Sequence, residues 1–416
     1  MTHSTTGRLF VGVLAFALVV AGSAGATTRP AQQATTATGS SEGTVDQAQD
    51  GECNYAELYD DVATGDVEIT ARNETVEWGG SGWIYEIEGS TAYVVTNWHV
   101  AAQGNPTNLD VRFEGGRWVE GEVVGSNALT DIAVVRVTNV PESATALPIT
   151  QDAAERGEEI AVFGQPFQFK ETITEGIVSG VERSWTTRGP GGVNQTIAPM
   201  IQTDASVEFG HSGGPWVNCQ GEVVGMTVGG FTSVTNFGIS WQALRVVVPA
   251  LVEDGSYPLS YVGADTTDVN ATVAELNDLT VTRGAMVASL SRDSPARGEL
   301  RSARSFSRQF SPSRIPLGGD VVLAVDGVPV EDTADLFGYL YLETRPGETV
   351  NFTVLRDGER RTVQVTLGEY PEVPTTSSTT TSGTTTATVT GTTTTGTTTP
   401  ETTPEAGREA ASTATT

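Results

Sequence analysis

The sequence predicts a mostly β protein in three successive parts: a β sandwich or barrel region, a compact α+β domain and a disordered tail. Three observations carry this. From about residue 66 to residue 240 the chain consists of short apolar, β-branched runs separated by glycine and turn residues, the texture of all-β sandwiches and barrels. From 256 to 370 strand patterns enclose a helical one. From 371 to 416 the chain is Thr-rich low complexity with Ser, Gly and Pro, a composition that cannot bury enough apolar surface to offset chain entropy.

The N-terminus reads as an address. Arg8 precedes the apolar run Leu9 to Ala21, followed by Ala24-Gly25-Ala26. An apolar core of that length before a small-x-small site is the pattern of a secretory signal peptide, here residues 1–26. The run is short for a membrane span, which needs about 20 apolar residues; an uncleaved anchor is the alternative. The expected location is secreted or cell-surface. Residues 27–65 follow as linker and N-terminal extension, poor in large apolar side chains over 27–50.

Strand-like runs then come in order. Gly82-Trp83-Ile84-Tyr85, Ala92-Tyr93-Val94-Val95, Gly121-Glu122-Val123-Val124 and Ile132 to Val137 make a first group. The segment 141–155, with Pro141 and Pro148, reads as a joint. Ile160 to Gly164, Thr174 to Gly180 and Gly221 to Gly225 make a second group, closed by a helical pattern over Trp241–Val252 that Pro249 interrupts. Strands are expected near 284–290, 320–325 and 349–355, a helix near 332–342, and a period-2 strand over Arg361–Leu367. Asn73, Asn194, Asn270 and Asn351 each open an Asn-x-Thr sugar-acceptor pattern.

Composition narrows the function. Asp and Glu number 51 against 23 Lys and Arg, for a formal net charge of −28, and the only lysine is Lys170. Phosphate backbones require basic stripes, so nucleic acid is excluded as a partner. An acidic, lysine-poor surface stays solvated in concentrated salt, where screening removes self-repulsion; the composition reads as a halophile's. Cys53 and Cys219 are the two cysteines and suit one disulfide in an oxidising compartment, two buried thiols being the alternative. No residue set has metal-ligand spacing, and no cofactor is expected.

The chemistry lies in three segments. His99 ends a β-branched run in Thr96-Asn97-Trp98-His99-Val100; Asp131 opens Asp131-Ile132-Ala133-Val134-Val135; Ser212 sits in Phe209-Gly210-His211-Ser212-Gly213-Gly214-Pro215. A serine hydroxyl needs an adjacent base to become nucleophilic. An imidazole titrating near neutrality is such a base, and a buried carboxylate on its far nitrogen fixes the tautomer. Glycines around Ser212 allow a sharp turn whose Gly210 and Ser212 amides can hold an oxyanion. His211 is the competing base, disfavoured because adjacent side chains in a tight turn diverge. The order His, Asp, Ser separates this arrangement from the subtilisin and α/β-hydrolase orders.

Together TNWHV, TDIAVV and QTDASVEFGHSGGPWVN resemble the three catalytic segments of the HtrA/Deg (high-temperature-requirement) trypsin-like serine proteases. The resemblance implies two six-stranded barrels over 66–255, with His99 and Asp131 on the first and Ser212 on the second. It implies a serine endopeptidase that cleaves unfolded or damaged proteins and assembles as a homo-oligomer, a trimer by family pattern. With the acidity, it points to a halophilic archaeal representative. Val207, Val228, Gly229, Gly230 and Phe231 fall where that family lines its primary pocket; no acidic residue stands there, so an apolar substrate side chain is expected. His211 departs from the family, which usually has Asn there. The segment 256–370 resembles the family's PDZ domain. Tyr261-Val262-Gly263-Ala264 is similar to its carboxylate-binding loop, and a C-terminal peptide would add as a strand beside 264–268. The stretch 297–316 is longer than the pattern and holds Arg297, Arg301, Arg304, Arg308 and Arg314, either a solvated insertion or a site for an anionic partner. The competing functional readings are a PDZ-dependent holdase with minor proteolysis and an anchored cell-surface scaffold.

Overall fold

The computed structural model describes residues 53–102, 106–165, 172–188, 194–232, 235–309 and 314–370. The expected signal peptide, the linker over 27–50 and the Thr-rich tail lie outside the described residues. The first barrel closes from β1 (Asp66–Arg72), β2 (Glu77–Glu88), β3 (Thr91–Thr96), β4 (Asn108–Arg112), β5 (Trp118–Asn127) and β6 (Ile132–Thr138), in the order β1-β2-β3-β6-β5-β4. The second closes from β7 (Glu159–Gly164), β8 (Thr172–Arg188), β9 (Asn194–Thr203), β10 (Pro215–Asn218), β11 (Val223–Thr232) and β12 (Thr235–Ser240), in the order β10-β11-β12-β9-β8-β7. The segment 141–155, between the two barrels, carries no strand of either.

Burial on both faces explains why the runs of the first barrel read as continuously apolar. Along β6, Ala133, Val135 and Val137 point into the barrel, with Ile84 and Val94 from β2 and β3. Ile132 and Val134 point the other way, into a cluster shared with Trp83, Val95 and second-barrel residues such as Trp216 and Ile201. One strand thus serves two cores, and period-2 alternation of polar residues is lost.

Helix α1 (Tyr55–Val62) falls within the segment read from sequence as linker and extension. Asn54 caps it, its Oδ1 accepting from Glu57 N–H, and Leu58 and Val62 are buried. One apolar stripe on a two-turn helix gives little sequence signal. Cys53 is bonded to Cys219 with Cα atoms 5.3 Å apart, which ties α1 to the turn after β10. A one-turn helix, α2 (Trp98–Ala101), follows β3, and α3 (Trp241–Glu253) packs on β5, β6 and β11.

The C-terminal domain comprises β13 (Ser260–Tyr261), β14 (Ala264–Asp268), α4 (Ala271–Leu276), β15 (Ala285–Leu290), β16 (Ser305–Ser307), β17 (Ile315–Leu317), β18 (Val321–Val325), β19 (Val328–Pro329), α5 (Thr333–Leu342), β20 (Thr349–Arg356), β21 (Glu359–Thr366) and β22 (Gly368–Glu369). Its main sheet runs β14-β15-β18-β20-β21, so β14 is an edge strand. Asp332 caps α5 through Ala334 N–H and Asp335 N–H. Leu336, Phe337 and Leu340 are buried, and the helix packs against β8 and β9 of the second barrel. Two of the arginines of 297–316 find an acidic partner in the β20–β21 turn: Arg301 and Arg304 reach Asp357 at 3.0 and 3.2 Å. That pairing crosses more than fifty positions and is invisible to local reading.

Candidate active site

Asn97 leads the chain from β3 into α2 and so turns the His99 ring toward the start of β6. Asp131 Oδ2 lies 2.8 Å from His99 Nδ1, and Oδ1 lies 3.0 Å from both that nitrogen and the His99 backbone N–H. Asp131 is buried and adopts φ +57°, a left-handed conformation that costs a non-glycine residue on the order of 1 kcal/mol. Its carbonyl, accepting from Trp98 N–H and Asn97 Nδ2, both at 3.1 Å, holds it there. Burial pulls the His99 imidazolium down, but the charge and hydrogen bond of Asp131 outweigh it, and the ring titrates above its ordinary 6.5.

Ser212 comes from the second barrel. His211 N–H donates to Glu208 O at 3.1 Å, closing a turn in which Gly210 has φ +104°, the positive value that the third residue of a type II turn demands. Among the described residues, the Gly210 and Ser212 amides donate to no group. They are two open donors on one tight loop, the requirement for stabilising an oxyanion. Gly213 shows how close the barrels come: at φ +86°, a Cβ there would overlap Ser81 O and Thr96 Oγ1 and lie 3.2 Å from Asn97 N, two residues before His99. Ser212 Oγ, however, points to Val228 O at 3.4 Å, and no hydrogen bond joins it to His99 among the described residues. The His99–Asp131 pair is made, while the Ser212 side chain is turned to Val228 O.

Sequence reading missed Ser81. Its N–H donates to Ser212 O (2.8 Å), its Oγ to Gly210 O (2.7 Å), and it accepts from Gln165 N–H (2.9 Å), while Thr96 Oγ1 donates to its carbonyl (2.7 Å). This one buried serine fixes both carbonyls of the loop and leaves the amides free. Its only sequence signal is the glycine-rich opening of β2. His211 is buried, with Nδ1 3.2 Å from both Glu208 N and O, and its Nε2 has no partner among the described residues. Burial lowers its pKa below 6.5. The ring is thus committed through Nδ1 to Glu208 and buried, whereas His99 is paired with Asp131.

Val207 and Val228 are half-buried against the second core, and a Cβ on Gly229 would meet nothing within 4 Å, so the wall before the serine is apolar with open space at Gly229. The surroundings of Gly230 and Phe231 lie outside what is described. In the C-terminal domain, Val262 O accepts from Ser294 Oγ (2.8 Å) and Gly263 O from Ser291 N–H (2.9 Å). The Val262 and Gly263 amides donate to no described group. Their carbonyls are pinned and their donors open, beside the free edge of β14.

Residues 80–226 match the trypsin-like peptidase domain family and residues 260–367 the PDZ domain family. Across these two segments the chain is similar to HtrA/DegP-type trypsin-like serine proteases with a PDZ domain. Similar curated proteins include probable periplasmic serine endoproteases DegP-like from Pseudomonas fluorescens, 32% identical over 300 residues (70% of this chain, 56% of that one), and from Halomonas elongata, 31% identical over 299 residues (70% and 57%). The chain thus spans little more than half the length of those bacterial relatives. Among solved structures, the HtrA-type protease AlgW with a tripeptide matches at 26% identity and TM-score 0.60, covering 77% of this chain and 98% of that one. The serine endoprotease from Yersinia pestis matches at 26% identity and TM-score 0.53, covering 77% and 100%. Among the described residues no His, Cys, Asp or Glu group is arranged to hold a metal, and no helix is long and apolar enough to cross a membrane.

Proposed function

We propose that the chain is an exported serine endopeptidase that hydrolyses peptide bonds of unfolded proteins through His99, Asp131 and Ser212. The observation that carries this is the His99–Asp131 pair facing a loop that offers one serine and two unoccupied amides. After rotation from Val228 O, Ser212 Oγ attacks the scissile carbonyl carbon and passes its proton to His99 Nε2. The carbonyl oxygen takes the negative charge and is held by the Gly210 and Ser212 amides. Collapse breaks the C–N bond, His99 gives the proton to the leaving amine, and water then releases the acyl group by the same steps. Val207, Val228, Gly229 and Gly230 accept an apolar side chain before the bond. Tyr261, Val262, Gly263 and Ala264 hold a C-terminal carboxylate, the peptide adding to the β14 edge.

Export rests on the signal-peptide pattern of residues 1–26 and agrees with the periplasmic naming of the relatives. A trimer rests on resemblance, and life in high salt on the charge of −28. The turned-aside Ser212 rotamer favours, as a second reading, a resting state in which the protein mainly holds unfolded chains. Labelling with a serine-directed fluorophosphonate and casein cleavage by the wild type and Ser212→Ala separate the two. Loss of both signals in the variant supports the protease; casein cleavage by the variant within about tenfold of wild type refutes the triad.

A further inference from the structure

Phe209 precedes Gly210 and is 78% exposed, far more than any other large apolar side chain among the described residues. With Trp78 and Gly79 of β2 it walls a cavity of about 260 Å³ that also takes in Glu68, Glu77 and Gly210. An aromatic ring left in water at the lip of a catalytic loop calls for an occupant.

Geometry says which one. A substrate whose carbonyl oxygen meets the Gly210 and Ser212 amides runs its preceding residues past Val228 and Gly229. The residues after the scissile bond leave on the other side of Gly210, where Ser81 binds the Gly210 carbonyl and β2 begins. Along 77–82, β2 pairs with β1 on one edge, and its pairing with β3 starts only at Trp83. Ser81 spends its N–H on Ser212 O at the other edge. Gly79, two residues earlier, presents its N–H and C=O to that same edge, so an extended leaving segment can add there as a strand. On the face of the sheet that carries Glu77, cross-strand register places Thr70 and Glu68 of β1 beside it, and Phe209 walls the cavity from the serine loop. Glu68 is neutralised by buried Arg112, whereas Glu77 is exposed and only 3.9 Å contact links it to Arg72. Among the described residues no cationic side chain lines the cavity.

We propose that this cavity is a subsite for the leaving-group side of the substrate and that it selects a cationic side chain, arginine or lysine, within the first two residues after the scissile bond. The proposal rests on the protease reading above. The alkyl stem and cation lie against Phe209, and the head pairs with Glu77; an acidic side chain is repelled.

The test uses internally quenched peptides identical before the scissile bond and carrying Arg, Leu or Glu after it, cleaved by the full chain, Glu77→Gln and Phe209→Ala. Fluorophosphonate labelling and thermal melts are run on the same samples. The wild type should cleave the Arg peptide about tenfold faster than the Glu peptide in kcat/KM. Glu77→Gln should cut the Arg-to-Glu ratio to about threefold, and Phe209→Ala should lower the Arg and Leu rates together, by about fivefold. Equal rates for the three peptides in labelled, folded wild type overturn the subsite while leaving the protease intact, as does an Arg preference untouched by both substitutions. Protein that neither labels nor cleaves any peptide removes the protease reading and this proposal with it.

Discussion

Replacing Asp131 by Asn tests the proposed machinery most sharply, because the substitution keeps shape and changes one charge. The Asp131 carboxylate accepts two N–H groups of His99, the backbone one at 3.0 Å and Nδ1 at 2.8 Å. An Asn whose oxygen keeps the backbone N–H turns its NH₂ toward Nδ1, which must then accept. The ring proton is forced onto Nε2, the nitrogen that should take the serine proton. The positive charge formed on His99 in the transition state also loses its partner. At 2.8 Å and an effective dielectric constant of about 20, that attraction is about 6 kcal/mol. The ring is 34% exposed, and solvent screening brings the figure to about 4–5 kcal/mol. The expected outcome is a fall in kcat/KM of about 10³–10⁴, measured on a fluorogenic peptide, with a melting temperature within a few degrees of wild type. The residual rate should rise with pH, as hydroxide partly replaces the missing base. Activity within about tenfold of wild type in folded protein would refute the assigned role of the pair.

Other outcomes follow from the same geometry. His211 is held neutral by burial, so the unfolded chain takes up its proton first as pH falls below about 6.5, and stability drops from there down through the lowered folded pKa; His211→Asn should shrink the loss of melting temperature between about pH 7 and pH 5 while keeping most activity. His99 has the opposite sign, its contribution being present below about 6.5 and lost as pH rises through its raised pKa, and it is common to both proteins, so an unchanged acid slope would discount His211. With a charge of −28, melting should shift upward between about 0.1 M and about 3 M NaCl; a flat or falling midpoint argues against adaptation to salt. Because α5 flanks β14 and also packs on β8 and β9, a peptide with a free apolar C-terminus should change cleavage of a short substrate about 5- to 150-fold. Calorimetric binding without any rate change would leave the PDZ domain as a tether.

The sequence by itself determined what is local. Strand runs, the helices over 241–253 and 333–342, the order His99, Asp131, Ser212 and the glycine-framed serine loop are all legible because each depends on a few neighbouring residues. Helix α1 was not, since a two-turn helix with Leu58 and Val62 as its apolar stripe becomes stable only against the second barrel. Tertiary structure decided everything that joins distant positions. It set the 2.8 Å contact across 32 residues between His99 and Asp131, the grip of Ser81 on a loop some 130 residues away, and the pairing of Arg301 and Arg304 with Asp357. It also turned the Ser212 hydroxyl to Val228 and left Phe209 in solvent beside an open strand edge. The physical reason is that barrel closure and strand register, fixed by how two cores fill around strands buried on both faces, set these distances. A side chain's own neighbours in sequence carry no record of what the opposite barrel brings to it.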